Sequence, residues 1–213
     1  MVNKMQIHTL SLGMFGVNNY LVHTDGSTKA ILIDACEDTE SILRKIDQLK
    51  LELVYLINTH GHGDHIAGNE AIVKATGAKL IIGEKEVPYL SDPSLNLSMF
   101  MGVHLTSPPP DRTLREGDTV SLDNLNFEVL FTPGHSSGHI TLVERAQNIA
   151  FVGDVIFRQG IGRTDFPGGS YQTLETTIRE KIYTLPDSMT LYNGHGPSTT
   201  VGYEKQHNPF VQG

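Results

Sequence analysis

Four apolar segments of this chain each end in a residue that can ligate a metal, and this recurrence constrains the fold more than any other feature. "LVYLIN" delivers the cluster His60 to His65, "FEVLFTPGH" delivers His135, "IAFVGD" delivers Asp154 and "MTLYNGH" delivers His195. Short continuous apolar runs bounded by turn signals read as buried strands. Sheets with parallel strands gather the loops beyond several strand ends on one edge, where sites usually form. Glycine flanks nearly every donor, which lets the backbone turn sharply and come close to a ligand.

The elements between these strands fit the same plan. "MQIHTLSL", "VNNYLVHT" and "KAILID" read as three early strands, the third stopping at Asp34. In "DTESILRKIDQLK" the period changes: Ile42, Leu43, Ile46 and Leu49 share one helical face, with Asp38 or Thr39 as its cap. "HIAGNEAIVKATG" reads as one further helix closed by Gly77, followed by the strand "AKLIIG". Hairpins are expected at Asp123-Asn124 and through "HITLVERAQNIAFVGD", and "SYQTLETTIREKIYTL" as the last helix. Prolines break residues 84–110, where Leu95, Leu97, Met99, Phe100 and Met101 form an apolar patch. That segment reads as irregular or short-helical, near a pocket mouth. The order of elements suits an α/β fold of two sheets with helices on their outer faces, as a single domain over residues 1–213.

Composition narrows the partners. A net charge of -8 argues against nucleic acid, which needs a basic face, and against an anionic membrane surface. The lone cysteine, Cys36, can form no intrachain disulfide and reads as a buried small residue. The opening "MVNKMQIHTLSLGMFGVNN" lacks the apolar stretch of a signal peptide, and no segment approaches the roughly 20 apolar residues of a membrane span. A cytoplasmic location is the expectation.

Within "NTHGHGDHIAGN" (58–69) the spacing is informative. Residues two apart on an extended loop face the same way, so His60 and His62 can share one ion. Asp64 and His65 follow as the chain turns into a helix, so their side chains diverge toward a second. With the later donors, five histidines and two aspartates exceed what one four- or five-coordinate ion takes. They suit two divalent ions sharing a carboxylate and a water, zinc foremost, with iron or manganese also suited. His8, His23, His104 and His207 read as structural or surface residues, and His139 as a supporting or structural neighbour of His135.

At these residues the chain resembles the metallo-β-lactamase superfamily, whose signature is H-x-H-x-D-H followed by a distant His, Asp and His. The resemblance runs from "NNYLV" to "EKQHNPF" and implies an αββα sandwich of two mixed β-sheets flanked by helices. It also implies a two-metal centre at one edge. Carried onto this chain, His60, His62 and His135 would hold the first ion, and Asp64, His65 and His195 the second. Asp154 would bridge them, with Asp64 and Asp154 as the catalytic carboxylates. "GDVIFRQGIGRTDFPGG" (153–169) and "GHGPSTTVGYEKQHNPF" (194–210) resemble the short bacterial glyoxalase II-like enzymes. That implies hydrolysis of a small-molecule thioester such as S-lactoylglutathione, by a water whose pKa two cations lower toward about 7.

One departure concerns the carrier thiol. Long glyoxalase II enzymes add a C-terminal helical domain with basic contacts to glutathione, whereas here about 18 residues follow His195. The stretch Gly162 to Asp165 is shared with persulfide dioxygenases, in which one iron sits on residues corresponding to His60, His135 and Asp154. That oxidative reading stays open, as does a hydrolase of another ester or lactone. Arg163 is expected either to pair with a substrate carboxylate or to bridge to Asp165, and Tyr171 to line the pocket. Acid should strip the ions below about pH 6.

Overall fold

Alternation along single strands builds two cores at once. In the strand Lys29–Ile33, Ile31 and Ile33 join one apolar cluster while Ala30 and Leu32 join another on the opposite face. The computed structural model describes residues 4–213; residues 1–3, which open the stretch read above for a leader, and the side chain of Met101 lie outside the described residues.

The first sheet is laid down in sequence order: β1 (Met5–Leu12), β2 (Val17–Thr24), β3 (Lys29–Ile33), β4 (Glu52–Asn58), β5 (Lys79–Gly83) and β6 (Arg112–Leu114). Its first three strands pair antiparallel and the rest parallel. Helices α1 (Thr39–Gln48), α2 (Gly63–Ile66) and α3 (Asn69–Thr76) make the crossovers. The second sheet draws on β7 (Thr119–Leu122), β8 (Leu125–Phe131), β9 (Ile140–Glu144) and β10 (Ile149–Gly153). A small hairpin, β11 (Ile156–Phe157) with β12 (Gly160–Ile161), stands apart from it. After α4 (Tyr171–Thr177), β13 (Thr190–Asn193) and β14 (Thr199–Thr200) complete the second sheet in the order β14-β13-β10-β9-β8-β7. Within it, β10 and β13 run parallel. The last helix is α5 (Val201–His207).

Three apolar interfaces separate the four layers. Tyr20, Ile31, Ile57 and Ile81 from the first sheet meet Phe127, Val129, Leu142 and Phe151 from the second. Ile42, Ile46 and Ile72 cover the outer face of the first sheet, and Leu174, Ile178, Ile182 and Val201 that of the second. The expected αββα sandwich is therefore the fold. In α1, Asp38 caps Ser41 at 3.2 Å, a contact worth about 1 kcal/mol. Burial of Ile42 and Ile46 contributes roughly 1.5–3 kcal/mol each, so packing rather than capping holds this helix.

Some expectations on helices need correction. The helix read over "HIAGNEAIVKATG" is two, α2 and α3, separated at Gly68. A Cβ at Gly68 would overlap the Cys36 carbonyl oxygen, so the break brings backbone against backbone. The helix read over "SYQTLETTIREKIYTL" passes after α4 into a π-helical turn at Ile178–Ile182. It is also not the last, because Thr200 caps α5 through Tyr203 N. Residues 84–110 contain short 3₁₀ turns at Glu84–Leu90 and Ser98–Met101, as the prolines suggested. Among the described residues no helix is long and apolar enough to cross a membrane.

Candidate metal centre

The loops after β4, β8, β10 and β13 meet at one edge of the sandwich, and there all seven expected donors converge. His60 and His62 lie on the loop after β4, and Asp64 and His65 on α2. His135 follows β8, Asp154 follows β10 and His195 follows β13. Their ligand atoms form three overlapping groups: His60, His62, His135; His60, His65, Asp154; and Asp64, His65, His195. A Cβ at Gly194 would overlap the Asp154 carboxylate, so only glycine admits the β13 loop this close.

Hydrogen bonding on the far side of each ring decides which nitrogen faces inward. The Thr59 hydroxyl donates its one proton to Asp34 Oδ2 (2.8 Å) and so can only accept from His60 Nδ1 (3.1 Å). His60 Nε2 then carries a lone pair, and it is buried without a partner. His65 Nδ1 donates to Asp34 Oδ2 (2.9 Å), His135 Nδ1 to Arg163 O (2.7 Å) and His195 Nδ1 to Phe15 O (3.0 Å). Each of these three presents Nε2 to the site, as metal-ligating imidazoles do when their other nitrogen is anchored. His62 is the exception, because its Nδ1 faces His135 Nε2 at 2.9 Å.

The spacings test whether a metal fits. Donors 2.0–2.1 Å from a tetrahedral ion lie about 3.3–3.4 Å from one another. His65 Nε2 is 3.3 Å from His195 Nε2 and 3.7 Å from Asp64 Oδ2, and His195 Nε2 is 3.4 Å from Asp64 Oδ2. Asp154 spans both sets. Its Oδ1 is 3.5 Å from His65 Nε2, and its Oδ2 is 3.5 Å from His195 Nε2 and 3.6 Å from His135 Nε2. Its Oδ1, like His60 Nε2, is buried with no hydrogen-bond partner. A buried polar atom without a partner costs about 1–3 kcal/mol, and a shared cation relieves that cost. The residues present fit divalent metal.

Charge follows the same division. Burial would depress the His195 imidazole, but hydrogen bonds to Asp154 and Asp64 outweigh it and push the pKa up to about 11. At His65 burial is likewise outweighed, by Asp64, Asp154 and Asp34, and the value rises to about 9. Burial raises and the surrounding imidazoles lower the Asp154 carboxyl, with the net far below the usual carboxylate range. His62 lies deep among like rings, and burial followed by His135 takes it down to about 3.

Several residues support the donors. His139, expected beside His135 as a supporting or structural residue, accepts from Asp154 N–H at Nε2 (3.1 Å) and faces Thr132 Oγ1 through Nδ1 (3.1 Å). Asp34, where β3 ends with φ +59, accepts from Thr59 N and Oγ1 and from His65. Glu86 is fully buried and accepts from Gly61 N (2.7 Å), Ser136 Oγ (2.8 Å) and Gly138 N (2.6 Å). It thus clamps the His60–His62 loop to the His135 loop, and burial raises its pKa to about 7. Neither acid was singled out from sequence. Asp34 had a local signal, an acid at a strand end, whereas Glu86 in "GEKEVP" is indistinguishable from its exposed neighbour Glu84. Glu86→Ala should destabilise the fold by about 3 kcal/mol in urea unfolding, because two buried amides and a hydroxyl lose their acceptor.

The substrate-side expectations divide. Arg163 lines the cavity beside the donors, yet its guanidinium forks onto Asp165 (2.9 and 2.7 Å) and lies 4.0 Å over the Phe166 ring. The bridge to Asp165 is the alternative that the structure contains. Tyr171, expected to line the pocket, is not among the cavity's lining residues, and its hydroxyl donates to Phe210 O at 3.0 Å. Tyr171→Phe should therefore leave kcat/KM within about twofold in a steady-state assay. Leu97 and Phe100 of the apolar patch do line the cavity. Cys36 is buried as expected; His8 and His23 stack together on β1 and β2, and His104 and His207 are exposed.

Comparison with known proteins agrees with this geometry. A family model described as the metallo-beta-lactamase superfamily matches residues 12–195. The hydroxyacylglutathione hydrolase GloC of Haemophilus influenzae is 37% identical over 209 residues, covering 97% of this chain and 98% of that protein. Among solved structures, the BLEG-1 B3 metallo-beta-lactamase superposes with a TM-score of 0.93 at 33% identity, covering 98% of this chain and all of the other. TTHA1623, solved in a di-iron-bound form, superposes with a TM-score of 0.86 at 31% identity, covering 96% of this chain and all of its own.

Proposed function

This chain belongs to the metallo-beta-lactamase superfamily, and within it we propose a two-metal hydrolase that cleaves the thioester of a small thiol, such as S-lactoylglutathione. The observation that carries the reading is the pair of converging donor sets joined by Asp154. His60, His62 and His135 would hold one ion, Asp64, His65 and His195 the other, and Asp154 would bridge them. Zinc suits imidazole and carboxylate donors, and iron or manganese suit them as well; a di-iron form is known for TTHA1623. When bound, two such cations supply an activated water and stabilise negative charge on the carbonyl oxygen.

The chain's own residues hold that arrangement and need little else. Asp34, Thr59 and the carbonyls of Phe15 and Arg163 fix the imidazole tautomers, and His139 fixes the backbone of Asp154. Hydrolysis forms a carbon–oxygen bond to water and breaks the carbon–sulfur bond, whose electron pair leaves on sulfur. A thiolate leaves readily, so no strong general acid is required. The resemblance to GloC supports the acyl-thiol substrate class.

The competing reading, persulfide dioxygenation at one iron, would use His60, His135 and Asp154. It gives no task to Asp64, His65 and His195, whose donors face one another within 3.3–3.7 Å. Metal-analysed protein incubated with S-lactoylglutathione, and separately with glutathione persulfide under an oxygen electrode, separates the two. Thioester loss without oxygen uptake is expected. Oxygen uptake with persulfide, in protein holding one iron, would replace the hydrolase with the dioxygenase.

A further inference from the structure

Five of the seven large apolar side chains left exposed among the described residues stand on two short segments. Met14 and Phe15 lie in the β1–β2 turn, and Met99, Phe100 and Val103 follow Leu97 in the loop before β6. Scattered exposed apolar residues are ordinary, but a contiguous apolar surface marks a binding site. Both segments reach the cavity over the metal donors. Phe15, Leu97 and Phe100 line it, together with Phe157, Ile161 and Phe166 from the β11–β12 hairpin and the loop beyond. Its volume, about 430 Å³, suits a small ligand.

This rim is built into the fold. Phe15 O accepts from His195 Nδ1, and Met14 N donates to Glu37 Oε1 at 2.7 Å. In the second segment, the buried Asn96 amide donates to Tyr89 O and Leu105 O at 3.0 Å each. Asn96 O accepts from Gly63 N at 2.7 Å, next to Asp64. Leu97 holds φ +69, a backbone conformation that non-glycine residues seldom adopt. Each half of the rim is therefore tied to a segment that carries metal donors.

Its charge is as telling. Among the described lining residues the one lysine or arginine is Arg163, and its guanidinium is already matched by Asp165. Away from the metal donors, a peptide thiol with two carboxylates meets no lysine or arginine in this cavity beyond the Arg163–Asp165 pair. Taking the thioester-hydrolase reading as given, we infer that the cavity holds its substrate by an uncharged apolar group attached to the thioester, on either the acyl or the thiol side. Six apolar side chains surround that group and the reacting carbonyl lies over the donors.

The test uses zinc-loaded full chain and two series, N-acetylcysteamine thioesters from acetyl to hexanoyl, and acetyl thioesters from ethanethiol to hexanethiol. In one arm kcat/KM should rise roughly threefold to fourfold per added methylene, and that arm identifies the side. In Phe15→Ser/Phe100→Ser protein with unchanged metal content, the rise should fall below about twofold per methylene. Flat series in both arms, with S-lactoylglutathione the better substrate, would overturn the inference and leave the hydrolase standing. Calorimetric affinity for uncleavable dialkyl thioethers reads the cavity independently of reaction. It should climb with chain length in the same way, and a flat result overturns the inference too. If affinity climbs and no thioester is cleaved, the cavity is as inferred and the hydrolase reading fails.

Discussion

Asp154→Ala protein is expected to carry fewer than two metal ions per chain and to hydrolyse thioesters about a thousandfold more slowly than the parent. Asp154 faces both sets, with Oδ1 3.5 Å from His65 and Oδ2 within 3.5–3.6 Å of His195 and His135. Alanine would remove the carboxylate that both donor sets would share and loosen the spacing between them. Losing about 4 kcal/mol of transition-state stabilisation corresponds to that factor. Metal analysis alongside steady-state kinetics checks both halves. Two retained ions with activity within tenfold of the parent would show that Asp154 does not join the sets.

Loading metal-free chain at pH 7 should release at least about one proton per chain. Without metal, the carboxylates around His65 and His195 raise their pKa values to about 9 and about 11, above the ordinary 6.5, so this pair, whose Nε2 atoms face each other at 3.3 Å, holds added protonation at neutral pH. Their Nδ1 atoms are committed to Asp34 and Phe15 O, which places the extra proton on the Nε2 that must bind the ion. Affinity for the Asp64, His65, His195 set should then fall at least about tenfold for each pH unit lost below about 9. Competition from protons therefore begins well above the pH 6 expected from unperturbed histidine.

Stability of the metal-free chain follows the opposite sense. A folded pKa raised above the unfolded value stabilises fully below about 6.5, and that contribution is lost as pH rises through about 9 and then about 11. Metal-free protein should unfold more easily at pH 10 than at pH 7. Metal titration by calorimetry, in buffers of different ionisation heat, counts the protons. Heats independent of the buffer would contradict the assignment of those two rings.

Much of the site could be read from sequence because its signals are local. The H-x-H-x-D-H spacing occupies six consecutive residues, and the later donors each follow the end of a strand, most plainly the uninterrupted apolar "IAFVG" before Asp154. Both sheets were legible for the same reason, since apolar residues in β3, β4 and β10 leave no polar face to confuse with surface. What escaped depends on contacts between distant segments. Glu86 acquires its role only where residues 84–90 pack against Gly61 and Ser136–Gly138. The break between α2 and α3 comes from the approach of Gly68 to Cys36, which no helical period reports. α5 is seven residues long with two buried positions, Val201 and Glu204, too short for a periodic stripe. Tyr171 was misplaced because it opens α4 on the side facing Phe210, away from the cavity.

The number of metal ions needed for thioester turnover tests the two-ion centre most directly. Metal-free chain would be titrated with zinc while bound metal and thioester hydrolysis are followed on the same samples. Activity is expected to climb to its plateau only as the second ion per chain is taken up. A plateau reached at one ion per chain, unchanged by further binding, would contradict a reaction that depends on both donor sets.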